Sequence, residues 1–600
     1  MELIRCSHEQ LADIRFHDGA LPHVIGACCY QVTRASADLE QAPEKRGFTY
    51  NHAPMLAYWN GFFWYEYLAG PKGEHETPSA VYLCRSADGI HWEAPMEVFG
   101  PCEISKEPYR GPGREQITGD RVGLVAHHRM GFFTSSAGRL LVMSFYGICP
   151  NAHIAPNNGY GVGRVVREVY PDGTLSDVYF LRYNAAAGYD RDHVDLFAPY
   201  EESLDAGFVE ACRELLADRV VTQQWWEEEQ LDREFFTCTG AKALSYYTLP
   251  DGRIMGVFKN SLTSISEDHG KTWSRPEKSP DIITSTGKVW GQRIPDGRYA
   301  LVYNPSPDGA HRWPLAITVG ENGREFTGLA AIVPEIAPCR YEGALKNLGA
   351  QYMRGITEAN QKPEDDGIWI AYSVNKEDMW IARVPGAVST RWKGPVCDNM
   401  ETISDRQLRD TWNLYVPVWG GAGLENGTMG KRLHLWDCDP CNRARAERVF
   451  EAAETIEVKA VLEIESVKQD SAAALIQSRD GQNLLAVVFT GDGDVAVRVG
   501  GRSVKFGFWQ KNCVLELTVR VNCRTCSYEV RLEQNGQTAS QRGAVGAAVR
   551  CGERVIFATK YSLPFQGLEV NGKDGDIGNL PGADRPVEVN SVFIHRLNVC

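Results

Sequence analysis

Ser266-Glu-Asp-His-Gly-Lys-Thr-Trp273 decides how this chain folds. The stretch fits S-x-D-x-G-x-T-W. Asp268 is placed to accept hydrogen bonds from backbone N–H groups of its own turn, and Gly270 takes positive φ without strain. Ser266 bonds back to local backbone, while Trp273 has a ring large enough to pack between neighbouring sheets. Ser86-Ala-Asp-Gly-Ile-His-Trp92 is a shorter version, and Val319-Gly-Glu-Asn-Gly-Arg-Glu-Phe326 a degenerate one. Such a turn shapes β structure and performs no chemistry, so function has to be read from other residues.

The pattern is similar to the Asp box, the turn signature of sialidase-type β-propeller blades. Around it, units of about 40 to 50 residues recur from Asn51 to roughly Arg383, each a start motif, an apolar strand, a turn and further strands. The first runs through Met55-Leu-Ala-Tyr-Trp59, an Asn60-Gly61 turn and Phe62-Phe-Trp-Tyr-Glu-Tyr67; Asn-Gly between apolar runs is a strong hairpin signal. The fold expected is all-β: a six-bladed propeller, with five or seven blades as alternatives, over residues 1–447. Trp412-Asn-Leu-Tyr-Val416, together with the N-terminal Val24-Ile-Gly-Ala-Cys28 strand, is expected to close the ring.

One segment breaks the β pattern. Residues 203–230 carry helical spacing at Phe208, Cys212, Leu215 and Leu216 and end in Gln223-Gln-Trp-Trp226 followed by three glutamates. This is expected to be an insertion lying across one mouth of the ring. From residue 448 to 600, alternating runs such as Ile456-Glu-Val-Lys-Ala-Val-Leu-Glu-Ile464 predict a concanavalin-like or jelly-roll β-sandwich.

With 600 residues, 43% hydrophobic and 23% charged, the chain has the composition of an ordinary soluble protein of more than one domain. A net charge of −14 excludes nucleic acid as an expected partner, because phosphate binding needs a basic face. No apolar window approaches a membrane span. Met1-Glu-Leu-Ile-Arg-Cys-Ser-His lacks a basic region followed by an apolar run, so no signal peptide and a cytoplasmic location are expected. Seventeen scattered cysteines suit reduced thiols. Two C-x-x-C pairs, Cys438/Cys441 and Cys523/Cys526, read as incidental thiols rather than zinc ligands. The loop Asn571-Gly-Lys-Asp-Gly-Asp-Ile-Gly-Asn579 has oxygen donors suited to a structural calcium, yet a plain Gly-rich turn is the expected reading. No cofactor is expected.

In a propeller, polar residues at the start of each inner strand converge on one mouth. That rule collects Asn51, His52, His127, His128, Arg129, Lys288, Gln351 and Arg354, with Tyr146, Arg164, Arg167, Lys259, His311, Arg312 and Asn375 nearby. The set is rich in His, Arg, Lys and Tyr and poor in carboxylates. A glycosidase needs two carboxylates, and Glu342 is the best available, with Asp120 behind it. A sialidase would place Arg-Ile-Pro ahead of its first box, but Arg293-Ile-Pro295 follows two of them. Uronate β-elimination fits better: Arg and Lys neutralise the sugar carboxylate while His or Tyr moves the C5 proton and protonates O4. His128, Arg129, His52 and Tyr146 are the expected catalytic groups, although a polar residue in such a place more often caps a strand. Trp225 and Trp226 are equally suited to stacking on sugar or anchoring the insertion. Arg164 and Arg167, three apart on a strand, point to opposite faces, so at most one reaches the site.

Asn51-His-Ala-Pro54, His128-Arg-Met-Gly131, Gly163-Arg-Val-Val-Arg-Glu168, Gln224-Trp-Trp226, His311-Arg-Trp-Pro314, Tyr372-Ser-Val-Asn-Lys-Glu-Asp378 and Arg445-Ala-Glu-Arg-Val-Phe450 form an ordered set. Together they resemble bacterial sialidase-like propeller proteins, among them exo-acting L-rhamnose-α-1,4-D-glucuronate lyases that trim arabinogalactan and gum arabic side chains. The resemblance implies elimination at glucuronate, releasing rhamnose and leaving a 4,5-unsaturated uronate, with an acidic oligosaccharide as partner. The rival expectations are a glycoside hydrolase, such as an α-L-rhamnosidase or sialidase-like exo-glycosidase, and a non-catalytic carbohydrate-binding propeller.

Overall fold

The computed structural model describes residues 3–8, 10–358, 360–428, 430–478, 481–546, 552–572 and 577–600, with backbone alone at 127–130 and 472. Among these, the propeller region forms four separate, mainly antiparallel sheets and a fifth that continues into the sandwich, so the six blades expected are not confirmed. Their inner strands are Tyr50–Trp59, Arg121–Thr134, Ser245–Thr248, Val289–Arg293 and Leu348–Gly355. The outer blade strand of the fifth sheet is Cys28–Thr33, which pairs antiparallel with Asp378–Pro385 (Cys28 opposite Arg383) and so ties the N-terminal segment to the last blade. Trp412–Val416 runs parallel to the same strand on its other edge (Cys28 opposite Leu414). Of the two segments expected at the closure, Trp412–Val416 is a strand of the sandwich, and the N-terminal blade strand is Cys28–Thr33, overlapping the expected Val24–Cys28 only at Cys28.

Trp412–Val416 is the first strand of the sandwich, pairing with Arg445–Ala453. The boundary expected after residue 447 therefore falls inside a strand. Seven strands starting from Trp412–Val416 make one sandwich sheet, and eight more, including Val396–Asn399, Gly420–Gly427, Gly430–Asp437 and Asn590–Val599, make the other. One apolar core runs from Leu56, Tyr65 and Trp369 of the propeller through Trp412 to Val487 and Ile594 of the sandwich. The residues of that core exclude water continuously across both units, which is the main force holding them together.

The turns do what their sequence dictates. Ser266 Oγ accepts from Gly270 N at 2.8 Å, Asp268 Oδ1 accepts from Thr272 N at 2.8 Å, and Trp273 Nε1 donates to Gly270 O at 3.2 Å. Ser86, Asp88 and Trp92 repeat the arrangement, with Ser86 Oγ accepting from Gly89 N at 2.9 Å and Asp88 Oδ1 from Ile90 N at 2.8 Å. In the degenerate copy Asn322 takes the acid's place, its Oδ1 accepting from the N–H groups of Arg324 and Glu325 at 2.9 Å each.

The expected insertion is helical: α1 (Ala206–Ala217), α2 (Arg219–Gln223) and α3 (Trp226–Glu229). Asp205 caps α1 through Gly207 N and Phe208 N, and Asp218 caps α2 through Val220 N and Val221 N. Phe208, Cys212 and Leu215 bury the apolar face of α1 against Leu141, Met143 and Val166 of the second blade. The turn at Gly270 docks on α2: its φ is +80°, and a Cβ there would lie 2.7 Å from Val220 Cγ2 and 2.9 Å from Val220 N. Gly270→Ala combines left-handed strain with overpacking, each worth about 1–3 kcal/mol. A lowered thermal midpoint and faster proteolysis within 206–229 are expected; an unchanged midpoint would show that the contact is dispensable.

Candidate functional site

Three of the five inner strands carry irregularities in their ladder, between His52 and Met55, His127 and Gly131, and Gln351 and Arg354. Such bulges re-aim side chains and are frequent beside active sites. Ala53 and Tyr352 sit at φ 54° and 58°, although neither is glycine. An aromatic residue held there costs on the order of 1–3 kcal/mol and persists only where its surroundings impose it.

Tyr352 is the hub of what these bulges assemble. Lys288 Nζ lies 3.6 Å from its ring centroid, and Lys259 Nζ donates to its hydroxyl at 3.4 Å. The His52 ring is 4.0 Å away, and His52 Nδ1 meets Ser373 Oγ at 2.8 Å. Tyr50 follows at 5.9 Å from His52; burial, then the charge of Glu74, pushes its phenol well above the usual range. Glu74 itself forms a buried ion pair with Lys376. Arg312 is buried too, donating to Ser285 O at 2.6 Å and Thr286 Oγ1 at 2.7 Å; burial lowers its pKa.

Deeper in the ring, Met55, Gly131, Trp290 and Arg354 line a cavity of about 40 Å³ together with Gln224 and Trp225 of the insertion. Residues from four inner strands and the insertion thus share one space, so the insertion reaches into the central channel. Arg354 NH1 donates to Leu244 O at 3.3 Å and stands over Trp290.

The insertion also delivers carboxylates. Glu227, Glu228 and Glu229 are 1%, 0% and 0% exposed. Glu227 Oε1 accepts from Ala243 N at 2.7 Å, just ahead of the third inner strand, and its Oε2 accepts from Asn157 Nδ2 at 3.3 Å. Glu228 and Glu229 hold Arg164 at 2.9 and 3.1 Å, and Glu229 also takes Arg182 at 2.8 Å. Another buried acid, Glu66, lies on the second strand of the first blade, where burial holds its carboxyl well above the usual range.

The expected residues separate into two groups. His52, Lys259, Arg312 and Arg354 lie around Tyr352 and the channel. Asn51 is fully buried with them, and its Nδ2 donates to Glu377 O at 2.9 Å. The side chains of His128 and Arg129 lie outside the described residues, as does the middle of the Asn571–Asn579 loop. Tyr146 is buried between the first two blades, its hydroxyl donating to Gly100 O at 2.6 Å. Arg164 is locked among glutamates beneath the Trp225 ring, 5.1 Å from its centroid, and so anchors the insertion. Arg167 bridges outer strands, donating to Ser176 O at 2.6 Å and Val98 O at 3.0 Å. Trp225 is buried and Trp226 partly so, both within the cluster that seats the insertion. His311 meets Asp308 Oδ2 at 2.7 Å and Val570 O at 2.8 Å. Glu342 is half exposed in a surface ion pair with Lys72. Sequence reasoning missed Tyr352, Glu74 and the buried glutamates. The run Glu227-Glu-Glu229 directly after two tryptophans was the available signal, and Glu74 had none.

Residues 2–241 match the family described as BT_1020-like, N-terminal beta propeller, and residues 412–567 match the sialidase-like CBM domain. A solved structure named "Sialidase" is 34% identical with TM-score 0.93 and covers 100% of this chain and 54% of its own. The chain thus spans about half the length of that neighbour. A Trypanosoma rangeli sialidase in complex with the inhibitor DANA is 10% identical over 92% of each chain, with TM-score 0.33. A xylan β-1,4-xylosidase from Bacillus halodurans C-125 is 12% identical over 98% of this chain and 100% of its own, also at 0.33. No curated protein matches. The two family matches and the 34% identical structure describe a sialidase-like propeller followed by a sandwich of the carbohydrate-binding type, which points to a carbohydrate-active or carbohydrate-binding role.

His75, next to Glu74, ties loop 149–162 to the mouth through Nδ1 and Ala152 O at 3.1 Å. Burial lowers its pKa; Glu74 and the bond to Ala152 O oppose that, while Lys376 and His153 reinforce it. The unfolded chain, titrating near 6.5, then binds more protons than the folded one, so this contribution is complete above about pH 6.5 and is lost as pH falls below it. Amide exchange in 149–162 is expected to accelerate on acidification, with His75→Gln flattening the profile. A flat wild-type profile would refute the link.

Proposed function

We propose that the chain is an exo-acting glycoside hydrolase whose channel mouth takes a terminal, negatively charged sugar, with Glu74 and Glu227 as its carboxyl pair. The observation that carries this reading is a pair of buried glutamates, Glu74 paired with Lys376 and Glu227 bonded to Ala243 N ahead of the third inner strand, in a ring that also bears Lys259, Lys288 and Arg312 around Tyr352. Hydrolysis needs two carboxyl groups, one protonating the leaving oxygen and one activating water or attacking the anomeric carbon. The main argument against hydrolysis was the expectation of a carboxylate-poor mouth; buried Glu74 and Glu227 are two carboxyl groups that support the hydrolase reading. Loop 149–162 touches both acids' surroundings, through Ala152 with His75 and through Asn157 with Glu227. The lysines and Arg312 supply the countercharge for an acidic sugar, and the neighbour named "Sialidase" supports the glycan class. Trp225 and Arg354 close the channel behind the sugar, which favours removal of one terminal unit.

Elimination at a rhamnosyl-glucuronate end is the second reading, favoured by Tyr352: its hydroxyl, faced by Lys259 and beside His52, offers a proton acceptor next to cationic groups that neutralise a uronate. One experiment separates the two. The protein is incubated with uronyl, sialyl and rhamnosyl-glucuronyl oligosaccharides, and released sugar is measured alongside the ultraviolet absorbance of a 4,5-unsaturated uronate. Hydrolysis gives sugar without absorbance, and Glu74→Gln and Glu227→Gln each lower kcat by about 10²–10⁴. Absorbance rising with sugar, and abolished in Tyr352→Phe, would replace hydrolysis by elimination. Full activity in both glutamine variants would overturn the assignment of the pair.

A further inference from the structure

A second groove lies where the propeller meets the sandwich, and none of its lining belongs to the channel mouth. Its volume is about 520 Å³, and it is lined by Tyr30–Val32 of the outer strand of the fifth blade, Ile90–Trp92 of an Asp-box turn, and the hairpin of Gly420–Gly427 with Gly430–Asp437. Ligand pockets usually measure about 300–1,000 Å³, so a sugar of a few units fits.

The groove is built around flat apolar surface and hydrogen-bonding backbone. Gly420-Gly-Ala-Gly-Leu424 is a strand almost without side chains, and Trp436 pairs across from Gly421. A Cβ at Gly421 would lie 2.3 Å from Trp436 Nε1, so glycine is what lets the indole lie across the strand. Trp436 and Trp92 are both partly exposed and line the groove. Trp92 is fixed by its own turn, Nε1 donating to Gly89 O at 3.2 Å. Gln31 provides an independent sign of a ligand. It is 6% exposed, its Oε1 accepts from Val418 N at 2.8 Å, and its buried Nε2 has no hydrogen-bond partner among the described residues. A buried donor without a partner is costly, so a site that supplies an acceptor is favoured.

Charge decides the class of ligand. Among the described residues no lysine or arginine lines the groove, and the one carboxylate there, Glu425, is taken up by His434 at 2.9 Å and Arg432 at 3.0 Å. His91 is held by Asp88 at 2.8 Å. An acidic sugar would find no countercharge here. We infer that this groove is a binding site for a neutral saccharide, held by stacking on Trp436 and Trp92 and by hydrogen bonds from Gln31 and the glycine-rich strand. It is separate from the cationic mouth, so the same chain grips a neutral part of a glycan while the mouth handles a charged end.

Affinity electrophoresis of the full chain in gels containing galactan, arabinan, xyloglucan or polygalacturonate tests this. At least one neutral polysaccharide is expected to retard the protein, and Glu74→Gln to be retarded equally, which keeps this result independent of turnover at the mouth. Trp436→Ala is expected to weaken binding about tenfold or more, the loss of one aromatic stacking contact. Gly423→Gln is the second variant: a Cβ there meets nothing within 4 Å, so the side chain fills the groove without disturbing the fold. Retardation by polygalacturonate alone, no retardation in any gel, or both folded variants migrating as wild type would each overturn the proposal.

Discussion

Pairing of Cys28–Thr33 between Asp378–Pro385 and Trp412–Val416 is the constraint on which the rest depends. On one edge the strand completes the fifth blade and closes the ring. On the other it fixes the first sandwich strand, so propeller and sandwich share twelve continuous strands. The burial pattern of Cys28-Cys-Tyr-Gln-Val-Thr33 fits that position, since a strand covered on both faces has no polar side. Every channel residue is positioned relative to a ring that this strand closes.

The second organising feature is the polar anchor beneath the insertion. Arg164 and Glu228 are fully buried, and Glu229 links them to Arg182 and Asp232. Breaking one member of such a network leaves an uncompensated charge, a loss of about 3–5 kcal/mol. Satisfied, it holds α3 against the second blade and sets Glu227 at the head of the third. The insertion therefore lines the channel cavity, which it reaches through Gln224 and Trp225.

Much of this was legible in the sequence because the relevant signals are local. The boxes at Ser86, Ser266 and Val319, the Asn60-Gly61 hairpin, the helical spacing at 203–230 and the alternation after Ile456 all depend on neighbours within one turn or strand. His52 and Arg354, gathered by the rule for inner-strand starts, and Lys259 and Arg312, gathered as neighbouring hairpin and loop residues, do lie together around Tyr352 and the channel. The failures are long-range. Tyr352 owes its position to a bulge and a strained φ that no pattern of apolar residues announces. Glu74 lies on a loop whose path depends on Lys376, three hundred residues away in the chain. Arg164 and Tyr146 have the right chemistry, but their partners, Glu228 and Gly100, come from other elements and bind them inside the protein. The closing strand is a similar case: Trp412–Val416 alternates like any blade strand, and only its pairing shows that it belongs to the sandwich.

Carbohydrate-binding sandwiches are commonly pictured as passengers on a tether, exchangeable between hosts. The core shared by Leu56, Trp369, Trp412, Phe450 and Ile594 rules out that picture for this chain. Cutting the sandwich away would strip water-excluding surface from both the first and fifth blades and leave the closing strand with a bare edge, an invitation to aggregate. Modularity is lost here, and geometry is gained: the sandwich hairpin stands at a fixed orientation to the ring, with no linker to blur it.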